Sequence, residues 1–355
     1  MSKDFLQNSA SFSLSVVVPN FNDGKYLKRC IDSICSQDVL PNELIILDDA
    51  STDNSVQVIE DAIHGYSFAR LVHNPVNLGG GGVPNANKGL SMATSKFVFF
   101  LGANDLILPG FFLKVKKSLE VNPHAGLFSA MVWLMDEQGN YLRIHPSPVL
   151  SLSDTFIPPD LCRKIMANQG SWLTGQTTVY RREALVAAGG FDATLGGLCD
   201  LLAAQVVASR YGAAYSPSPL GVMRIHKGAF LVATVSDPKT LDAALDEVAC
   251  RGPLVESKLF TKDMLERTRL RFYFASLRLS LGASASHIRS KVGRLRSAAL
   301  AMAQTIPAQF AYLRTAFYFL IMRPFDILPT IRNRGFGAAV VRSREKSAGR
   351  YPPNY

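Results

Sequence analysis

The segment FLGAND, residues 100–105, places an amide and a carboxylate directly after a hydrophobic run. Asn104 and Asp105 supply oxygen atoms, and hard cations such as Mg²⁺ and Mn²⁺ prefer oxygen ligands, often one or two carboxylates together with substrate phosphates. One carboxylate can hold such a cation, although more weakly than two. The alternative is that Asp105 only caps a turn, and the segment by itself leaves both interpretations open.

Three further polar loops follow apolar runs: PNFND at 19–23, DDASTDNS at 48–55 and NPVNLGGGG at 74–82. Ligands of open parallel sheets bind beyond the carboxyl ends of the strands, so four such loops indicate one shared site. A carboxylate there, such as Asp49, can accept hydrogen bonds from polar groups of a ligand. A helix-entry cap is the alternative for Asp49, whereas Asp48 is interpreted as a brace within its loop.

The glycine run at 79–82 could belong to a dinucleotide-binding fingerprint. The pattern G-x-G-x-x-G requires a further glycine at 84 or 85, where Pro84 and Asn85 stand. A Rossmann-type oxidoreductase is therefore not predicted.

Short apolar runs alternate with helical spacing in the first hundred residues. LSVVV at 14–18 and LIIL at 44–47 predict buried strands of a parallel sheet, with a helix between them. A second helix is predicted from Ser55, capped by Ser51 or Asp53. The pattern repeats with the strand ARLVHN, a helix over 85–93 and the strand KFVFFL, and this indicates a doubly wound α/β domain.

The next segment is less regular. We predict a helix over 113–121, a strand over 126–135 and a Pro/Ser-rich stretch over 139–160 without clear periodicity.

The length and the amino-acid composition of the chain limit the classes of protein to which it can belong. The chain has 355 residues, 48% of them hydrophobic, enough for one large or two ordinary domains. Five cysteines without paired spacing indicate a reduced intracellular protein. The first residues lack a secretory pattern, and the last apolar stretch is broken by Arg314, Arg323 and Asp326. We therefore expect a cytoplasmic protein without a membrane-spanning helix.

Charge is divided unevenly along the chain. Residues 1–250 hold 19 Lys or Arg against 23 Asp or Glu, whereas residues 251–355 hold 19 against 5, a net charge of +14. Basic amphipathic segments suit peripheral contact with an anionic membrane, and equally a helical lobe that packs on the first domain or forms an oligomer. No nucleic-acid-binding module is present, so nucleic acid is not expected as a partner.

Four segments of the sequence resemble segments of a known protein family. LSVVVPNFNDGKYLKRCIDSICSQDVLPNELIILDDASTDNS, NLGGGG, GAND and GGFDATLGGLCDLL resemble family 2 glycosyltransferases of the GT-A fold. The resemblance implies a nucleotide-sugar-binding α/β domain with a mainly parallel central sheet over 12–235. A basic α-helical region over 236–342 and a disordered tail over 343–355 would follow.

The resemblance also implies an activity. It is that of an inverting, hexosyltransferase-type enzyme that moves a sugar from a nucleoside diphosphate, with UDP favoured, to a hydroxyl. The acceptor would be a glycan or a lipid-linked molecule in cell-surface polysaccharide or glycolipid synthesis, and the enzyme would work in the cytoplasm, at the inner membrane surface.

The resemblance further assigns the donor site. Its implied nucleotide-sugar-binding residues are Pro19, Asn20, Asn22, Asp49, Gly80, Asn87, Lys88, Asn104 and Arg224. Ala86 stands where the family usually has an arginine for the diphosphate, and Lys88, Arg224 and Lys227 are the candidate replacements. A solvated helix residue is the alternative for Lys88.

The resemblance to the family's D-x-D-D pattern makes Gly102 and Asn104 replacements of two carboxylates. It implies that Asp105 and His226 hold Mn²⁺ or Mg²⁺ in a weakened site, where the cation would offset charge on the departing diphosphate. A structural role is the alternative for His226.

Asp200 is the general base that the resemblance implies, because it follows GGFD as the aspartate of the family's acidic pair does. A helix N-cap is the compatible alternative. Trp172 and Gln176 are candidates for an acceptor pocket. The departures at Ala86, Gly102, Asn104 and Cys199 keep open a catalytically impaired sugar-nucleotide-binding or scaffolding relative.

Overall fold

The structure, a computed structural model, describes residues 12–145, 147–226 and 230–281. The predicted tail over 343–355 and the predicted basic region beyond residue 281 lie outside the described residues, so both remain predictions.

One mixed sheet of ten strands forms the centre of the molecule. Its main path runs β3-β2-β1-β4-β9-β6-β10-β5, while β7 pairs with β6 and β8 with β10. The strands are β1 Leu14–Asn20, β2 Glu43–Asp48, β3 Ala69–His73, β4 Phe97–Phe100, β5 Leu106–Ile107, β6 Leu127–Met135, β7 Tyr141–Ile144, β8 Thr155–Ile157, β9 Val179–Arg181 and β10 Ala213–Arg224. Parallel pairing joins β3, β2, β1 and β4, and also β6 and β10, whereas β9 runs antiparallel between β4 and β6.

Within the described residues, ten α-helices flank this sheet or follow it. They are α1 Gly24–Cys35, α2 Ser55–Ile63, α3 Val83–Met92, α4 Phe111–Val121, α5 Pro159–Gln169, α6 Arg182–Ala187, α7 Cys199–Tyr211, α8 Phe230–Ser236, α9 Pro238–Val255 and α10 Lys262–Leu281. No helix in the described part of the chain is both long enough and apolar enough to cross a bilayer.

The two faces of the parallel strands pack into two different cores. Val17 and Ile45 belong to the core shared with α3 and α7, whereas Val16 and Ile46 belong to the core shared with α1 and α4. Successive side chains of a strand point to opposite faces, so burial on both faces requires an uninterrupted apolar run. The predicted doubly wound domain with a mainly parallel sheet is therefore confirmed.

Helix α2 begins at Ser55 as predicted, but its cap differs from the prediction. The N-cap residue is Asn54, and the Asp53 carboxylate accepts from the N–H of Ser55 at 2.9 Å. Ser51 does not cap the helix, because its hydroxyl accepts from the N–H of Asn22 at 2.9 Å. Both side chains therefore join the first two strand-end loops.

The stretch over 139–160 is more ordered than the sequence predicts. It contains β7, which pairs antiparallel with β6, and β8, which pairs antiparallel with β10. Strands of three or four residues carry too few alternations for a period of two to be recognised. These short strands lie off the main path of the sheet.

Helix α3 connects the glycine-rich loop to the core through a close contact. A Cβ atom on Gly89 would lie 2.3 Å from a methyl carbon of Val17, so the helix approaches β1 more closely than a side chain allows. We expect Gly89→Ala to lower the free energy of unfolding by ~1–3 kcal/mol, the usual cost of overpacking. Urea denaturation measures it. Ser91→Ala, on the exposed side of the same helix, is the control, and equal midpoints for the two variants would contradict the close contact.

Candidate active site

The loops that the sequence singles out lie together at one edge of the sheet. In the parallel register Asn20, Asp48 and His73 stand side by side as the last residues of three adjacent strands. The N–H of Leu101 donates to the carbonyl of Val17 at 3.0 Å and brings the loop after β4 to the same edge. The four polar loops therefore lie at one edge of the sheet, and that they form one shared site stays a prediction.

Asp48 holds the first two loops together. Its fully buried carboxylate accepts from Nδ2 of Asn20 at 2.7 Å and from the N–H of Ser51 at 3.0 Å, and it lies 3.0 Å from Nδ1 of His73. These bonds agree with the interpretation of Asp48 as a brace. The same contacts leave Oδ1 of Asn20, a buried acceptor, without a protein partner among the described residues.

Asp49 lies beside this brace, with only 3% of its surface exposed. Its Oδ1 atom accepts from Nδ2 of Asn74 and from the N–H of Leu78, both at 2.9 Å. Asn74 in turn donates to Asn85 at 2.7 Å and accepts from the ammonium of Lys88 at 2.6 Å. Lys88 thus contacts Asp49 indirectly, through the side chain of Asn74.

The glycine loop bridges two parts of the site. Its residues Gly79, Gly80, Gly81 and Gly82 have φ angles of 69°, 63°, 62° and 85°, a left-handed run that side chains rarely tolerate. A Cβ atom on Gly82 would lie 3.8 Å from Cβ of Pro19, and one on Gly80 would lie 3.9 Å from Cβ of Ala193. The loop therefore connects the end of β1 with the turn that precedes Asp200.

Two asparagines assigned to the donor have their side chains bonded to the backbone. Asn87 donates to the carbonyl of Phe191 at 2.7 Å and accepts from its N–H at 3.0 Å. The Oδ1 atom of Asn22 accepts from the N–H groups of Thr52 and Asp53 at 2.8 Å and 3.3 Å. Both residues shape loops of the site, and their predicted contact with the donor remains a prediction.

Asp105 is a buried carboxylate that joins three segments. Its Oδ1 accepts from the N–H of Arg224 at 2.8 Å, its Oδ2 accepts from Nε2 of Gln176 at 2.9 Å, and the residue is 6% exposed. Burial raises the pKa of Asp105 from 3.8 to about 6, against the opposing effect of these two hydrogen bonds.

Arg224 lies beneath the same loop and is 4% exposed. Its guanidinium donates to the carbonyls of Asn104 and Asp136, both at 3.0 Å, and lies 4.5 Å from the ring centroid of Tyr26. Nε2 of His226 lies 2.6 Å from Nδ2 of Asn104. The structure therefore brings Asn104, Asp105, Arg224 and His226 together, with Arg224 bonded to backbone oxygens.

Asp200 lies in the first turn of α7, whose N-cap residue is Leu198, so the N-cap alternative is wrong. A Cβ atom on Gly175 would lie 2.8 Å from Oδ2 of Asp200, which places this carboxylate against the 3₁₀ turn Gly175–Thr177. Burial raises the pKa of Asp200, and the backbone N–H groups of Leu201 and Asp200 partly offset this. Gln176 in the same turn donates to Asp105, so one short turn contacts both carboxylates.

These residues lie largely within a recognisable family domain. Residues 15–187 match the family model described as glycosyl transferase family 2. Over these residues the chain belongs to glycosyl transferase family 2. The match includes Asp49 and Asp105 and ends before Asp200, Arg224 and His226.

Curated relatives of this family match in part. An uncharacterized glycosyltransferase, YibD of Escherichia coli K12, is 29% identical over 182 residues, which are 51% of this chain and 52% of YibD. The poly(ribitol-phosphate) beta-N-acetylglucosaminyltransferase TarP of Staphylococcus aureus N315 is 38% identical over 97 residues, 26% of this chain and 29% of TarP. The chain spans about half the length, or less, of these two relatives.

Solved structures agree in fold with the part of the chain that the structure describes. S. aureus TarS residues 1–349, in complex with UDP-GlcNAc, superposes with a TM-score of 0.57 at 15% identity and covers 96% of this chain and 93% of that one. The mannosyltransferase PcManGT of Pyrobaculum calidifontis, in complex with GDP-Man and Mn²⁺, gives a TM-score of 0.53 at 18% identity and covers 92% and 88%. The chain has the GT-A type of fold that the sequence predicts.

Sequence reasoning missed several residues of the site. Asn74 stands directly after β3, in a loop that the sequence flags, but its bond to Asp49 depends on the register of β2 and β3. Gln176 donates to Asp105, a bond between distant segments that no local pattern indicates, and its predicted place in an acceptor pocket stays a prediction. Trp172 is 1% exposed and belongs to the core. Tyr26 fits the helical spacing of α1, so nothing in the pattern separates it from core residues.

Helices α8 and α9 contact the turn that precedes Asp200. The hydroxyl of Thr234 accepts from the N–H of Gly197 at 3.0 Å, and a Cβ atom on Gly197 would lie 2.8 Å from Cα of Leu231. Arg251 on α9 forms an ion pair with Asp192 at 2.5 Å. The first described helices after β10 therefore pack on the site.

The titration of Asp105 predicts a pH-dependent stability. Because the folded-state pKa is about 6 instead of 3.8, its stabilisation is fully present below pH ~4 and is lost as the pH rises through 6. Asp105→Asn cannot titrate, so the stability of this variant relative to the native chain should rise between pH 4 and 7, by at most ~3 kcal/mol. Urea denaturation at several pH values, with the exposed Asp61→Asn as control, measures it; parallel curves for Asp105→Asn and the native chain would refute the burial argument.

Proposed function

We propose that the chain is an inverting glycosyltransferase that moves a sugar from a nucleoside diphosphate, with UDP favoured, to a hydroxyl acceptor. One observation carries this proposal. The turn Gly175–Thr177 lies against the Asp200 carboxylate and also binds the Asp105 carboxylate. Both lie at the sheet edge where Asp49 directly follows β2. A nucleoside-binding acidic residue and a candidate base thus belong to one edge of the fold.

The nucleoside would bind at the ends of β1 and β2. Oδ1 of Asp49 is occupied, whereas Oδ2 has no protein hydrogen-bond partner among the described residues, and Oδ1 of Asn20 is likewise without one. Acceptors of this kind suit the imide N–H of uracil and the ribose hydroxyls. Pro19 lies between this pair and the glycine loop. The complex of TarS with UDP-GlcNAc supports a uridine donor.

Asp200 would act as the general base. Its raised pKa favours proton uptake, and a base works best when its pKa approaches the working pH. The acceptor hydroxyl would lose its proton to Asp200 while its oxygen bonds to the anomeric carbon. The bond from that carbon to the diphosphate oxygen breaks, and the nucleoside diphosphate leaves from the opposite face.

Relatives of this fold use a divalent cation, as the complex of PcManGT with Mn²⁺ illustrates. The residues present here do not fit the predicted site at Asp105 and His226. Each Asp105 oxygen already accepts one hydrogen bond, and the remaining lone pairs lie in a residue that is only 6% exposed. Nε2 of His226 is bonded to Asn104. Among the described residues no three His, Cys, Asp or Glu side chains converge as cation ligands.

A glycan or lipid-linked acceptor at the cytoplasmic face of the membrane is the setting we propose. TarP, which acts on poly(ribitol-phosphate), supports a cell-surface polymer as acceptor. The net charge of +14 over 251–355 would favour contact with an anionic membrane.

A donor-binding relative without turnover is the second candidate function. The pairing of Asn104 with His226 favours it, since a neutral amide stands where the family commonly has a carboxylate. Measured turnover separates the two functions.

Replacement of Asp200 tests the proposed base. We expect Asp200→Asn to lower kcat for UDP release from UDP-GlcNAc by ~10²–10⁴-fold, the usual contribution of a general base. The KM for the donor should change little, because the nucleoside contacts remain. In the native reaction, NMR should detect the released sugar first as the β anomer. The exposed Asp160→Asn is the control; no turnover by the native chain with UDP-, GDP- or dTDP-sugars would favour the second candidate function.

The nucleoside contact can be tested without turnover. Asp49→Asn removes the charge and replaces one acceptor by a donor, so the Kd for UDP should rise by ~10-fold, or ~1.4 kcal/mol. Isothermal titration calorimetry of the native chain, Asp49→Asn and Asp61→Asn measures it. An unchanged Kd in Asp49→Asn would remove Asp49 from the nucleoside site.

A further inference from the structure

The residues beside Asn104 form a cluster that the proposed mechanism does not use. The ring of Tyr26 lies at its centre, with Nζ of Lys25 and Cζ of Arg224 each 4.5 Å from the ring centroid. The ring of His226 lies 6.1 Å from that of Tyr26, centroid to centroid. Three basic side chains thus surround one aromatic ring, next to the loop where the donor diphosphate would lie. We refer to Lys25, Tyr26, Arg224 and His226 as the basic cluster.

His226 cannot ligate a cation through Nε2 in either orientation of the Asn104 amide. If Nδ2 of Asn104 donates, as placed, the bond at 2.6 Å uses the Nε2 lone pair. If the amide is turned so that its oxygen faces the ring, Nε2 must carry the proton. In both cases the lone pair that a metal ion needs is not available while the pair persists.

The Asp105 carboxylate likewise has protein partners for both of its oxygens. Its two oxygens join β10 to the turn Gly175–Thr177 through Arg224 and Gln176. A cation at this carboxyl would have to displace or crowd those donors in a setting that is 6% exposed. Gly102 offers no side chain, and a Cβ atom there would already lie 3.2 Å from Oδ2 of Asp105.

Besides Glu137, which interacts electrostatically with Lys25, Asp23 is a carboxylate that faces the basic cluster. It is half-buried and interacts electrostatically with His226, Lys25 and Arg224, and also with Asp53. Asp23 therefore already lies among positive groups of the protein. Because Mn²⁺ and Mg²⁺ take several oxygens, Asp23 alone is not enough to hold either ion, and a second carboxylate would be needed beside it.

We infer that this chain holds the donor diphosphate without a divalent cation, through the basic cluster and the Asn104 amide, a proposal that rests on the proposed function. The ammonium of Lys25 would supply charge to the phosphate oxygens, and His226, whose Nε2 accepts from Asn104, would donate a hydrogen bond through Nδ1. Arg224 would supply a fixed positive charge beneath the Asn104 carbonyl. Charges held in place near a leaving diphosphate stabilise it as a cation does. Asn104 is the residue that separates this chain from a cation-dependent one.

The test measures cation binding and nucleotide binding, independently of turnover. Mn²⁺ is titrated into the full-length native chain with UDP present, and bound Mn²⁺ is followed by loss of the free-ion EPR signal. UDP binding is measured by calorimetry in EDTA and in excess Mn²⁺. We expect no saturable Mn²⁺ site in the native chain beyond that of UDP alone, and a Kd for UDP that changes less than ~3-fold between the two conditions.

Asn104→Asp is the decisive variant, because it adds one carboxylate without adding volume. It should bind Mn²⁺ in a saturable way with UDP, and its Kd for UDP should fall by ~10-fold or more when Mn²⁺ replaces EDTA. Asn104→Ala removes the amide without adding charge and is the matched control. It should bind no Mn²⁺ in a saturable way, and its Kd for UDP should not change between EDTA and Mn²⁺. If Asn104→Asp gains no cation response, Asn104 is not the residue that determines cation dependence.

The outcomes also distinguish this inference from the proposed function. Tight UDP binding by the native chain only with Mn²⁺ would overturn the inference and leave the proposed function standing. Binding of neither UDP nor GDP under either condition would overturn the proposed function, and the inference with it. Lys25→Gln provides a second measure that does not touch the buried residues, since it should weaken UDP binding in EDTA and leave uridine binding unchanged.

Discussion

The buried carboxylate of Asp105 is the constraint on which the rest of the site depends. It lies between the end of β10 and the turn Gly175–Thr177, and its hydrogen bonds to Arg224 and Gln176 fix both segments relative to the loop after β4. Burial raises its pKa to about 6, so the charged form is costly and the two donors offset only part of that cost. A residue under this constraint organises the site and has little freedom to bind an ion.

Much of the fold follows from local sequence pattern. The first two strands are apolar on both faces because helices cover both sides of the sheet, so LSVVV and LIIL carry enough signal by themselves. The strands β5, β7, β8 and β9 have two to four residues and are defined by their partners, which no local period reveals. The resemblance to a family contributed most to the interpretation of the loops, where hydrophobic periodicity gives no information.

The site was predicted at the level of loops more than of atoms. All four strand-end loops meet at one edge, because parallel strands place their carboxyl ends there. The functions of individual side chains within those loops depend on pairings that span long stretches of sequence, such as Asp105 with Gln176, 71 positions apart, or Asn87 with Phe191, 104 positions apart. A pattern over neighbouring residues cannot contain that information.

The contact of α8 and α9 with the turn before Asp200 changes how the chain can be divided. The predicted boundary at residue 235 falls inside α8, one position after Thr234, and it separates Arg251 from Asp192. The smallest piece that keeps the candidate base in its present surroundings therefore extends at least through α9. A shorter fragment would retain every strand of the sheet and still leave the segment that carries Asp200 without its outer support.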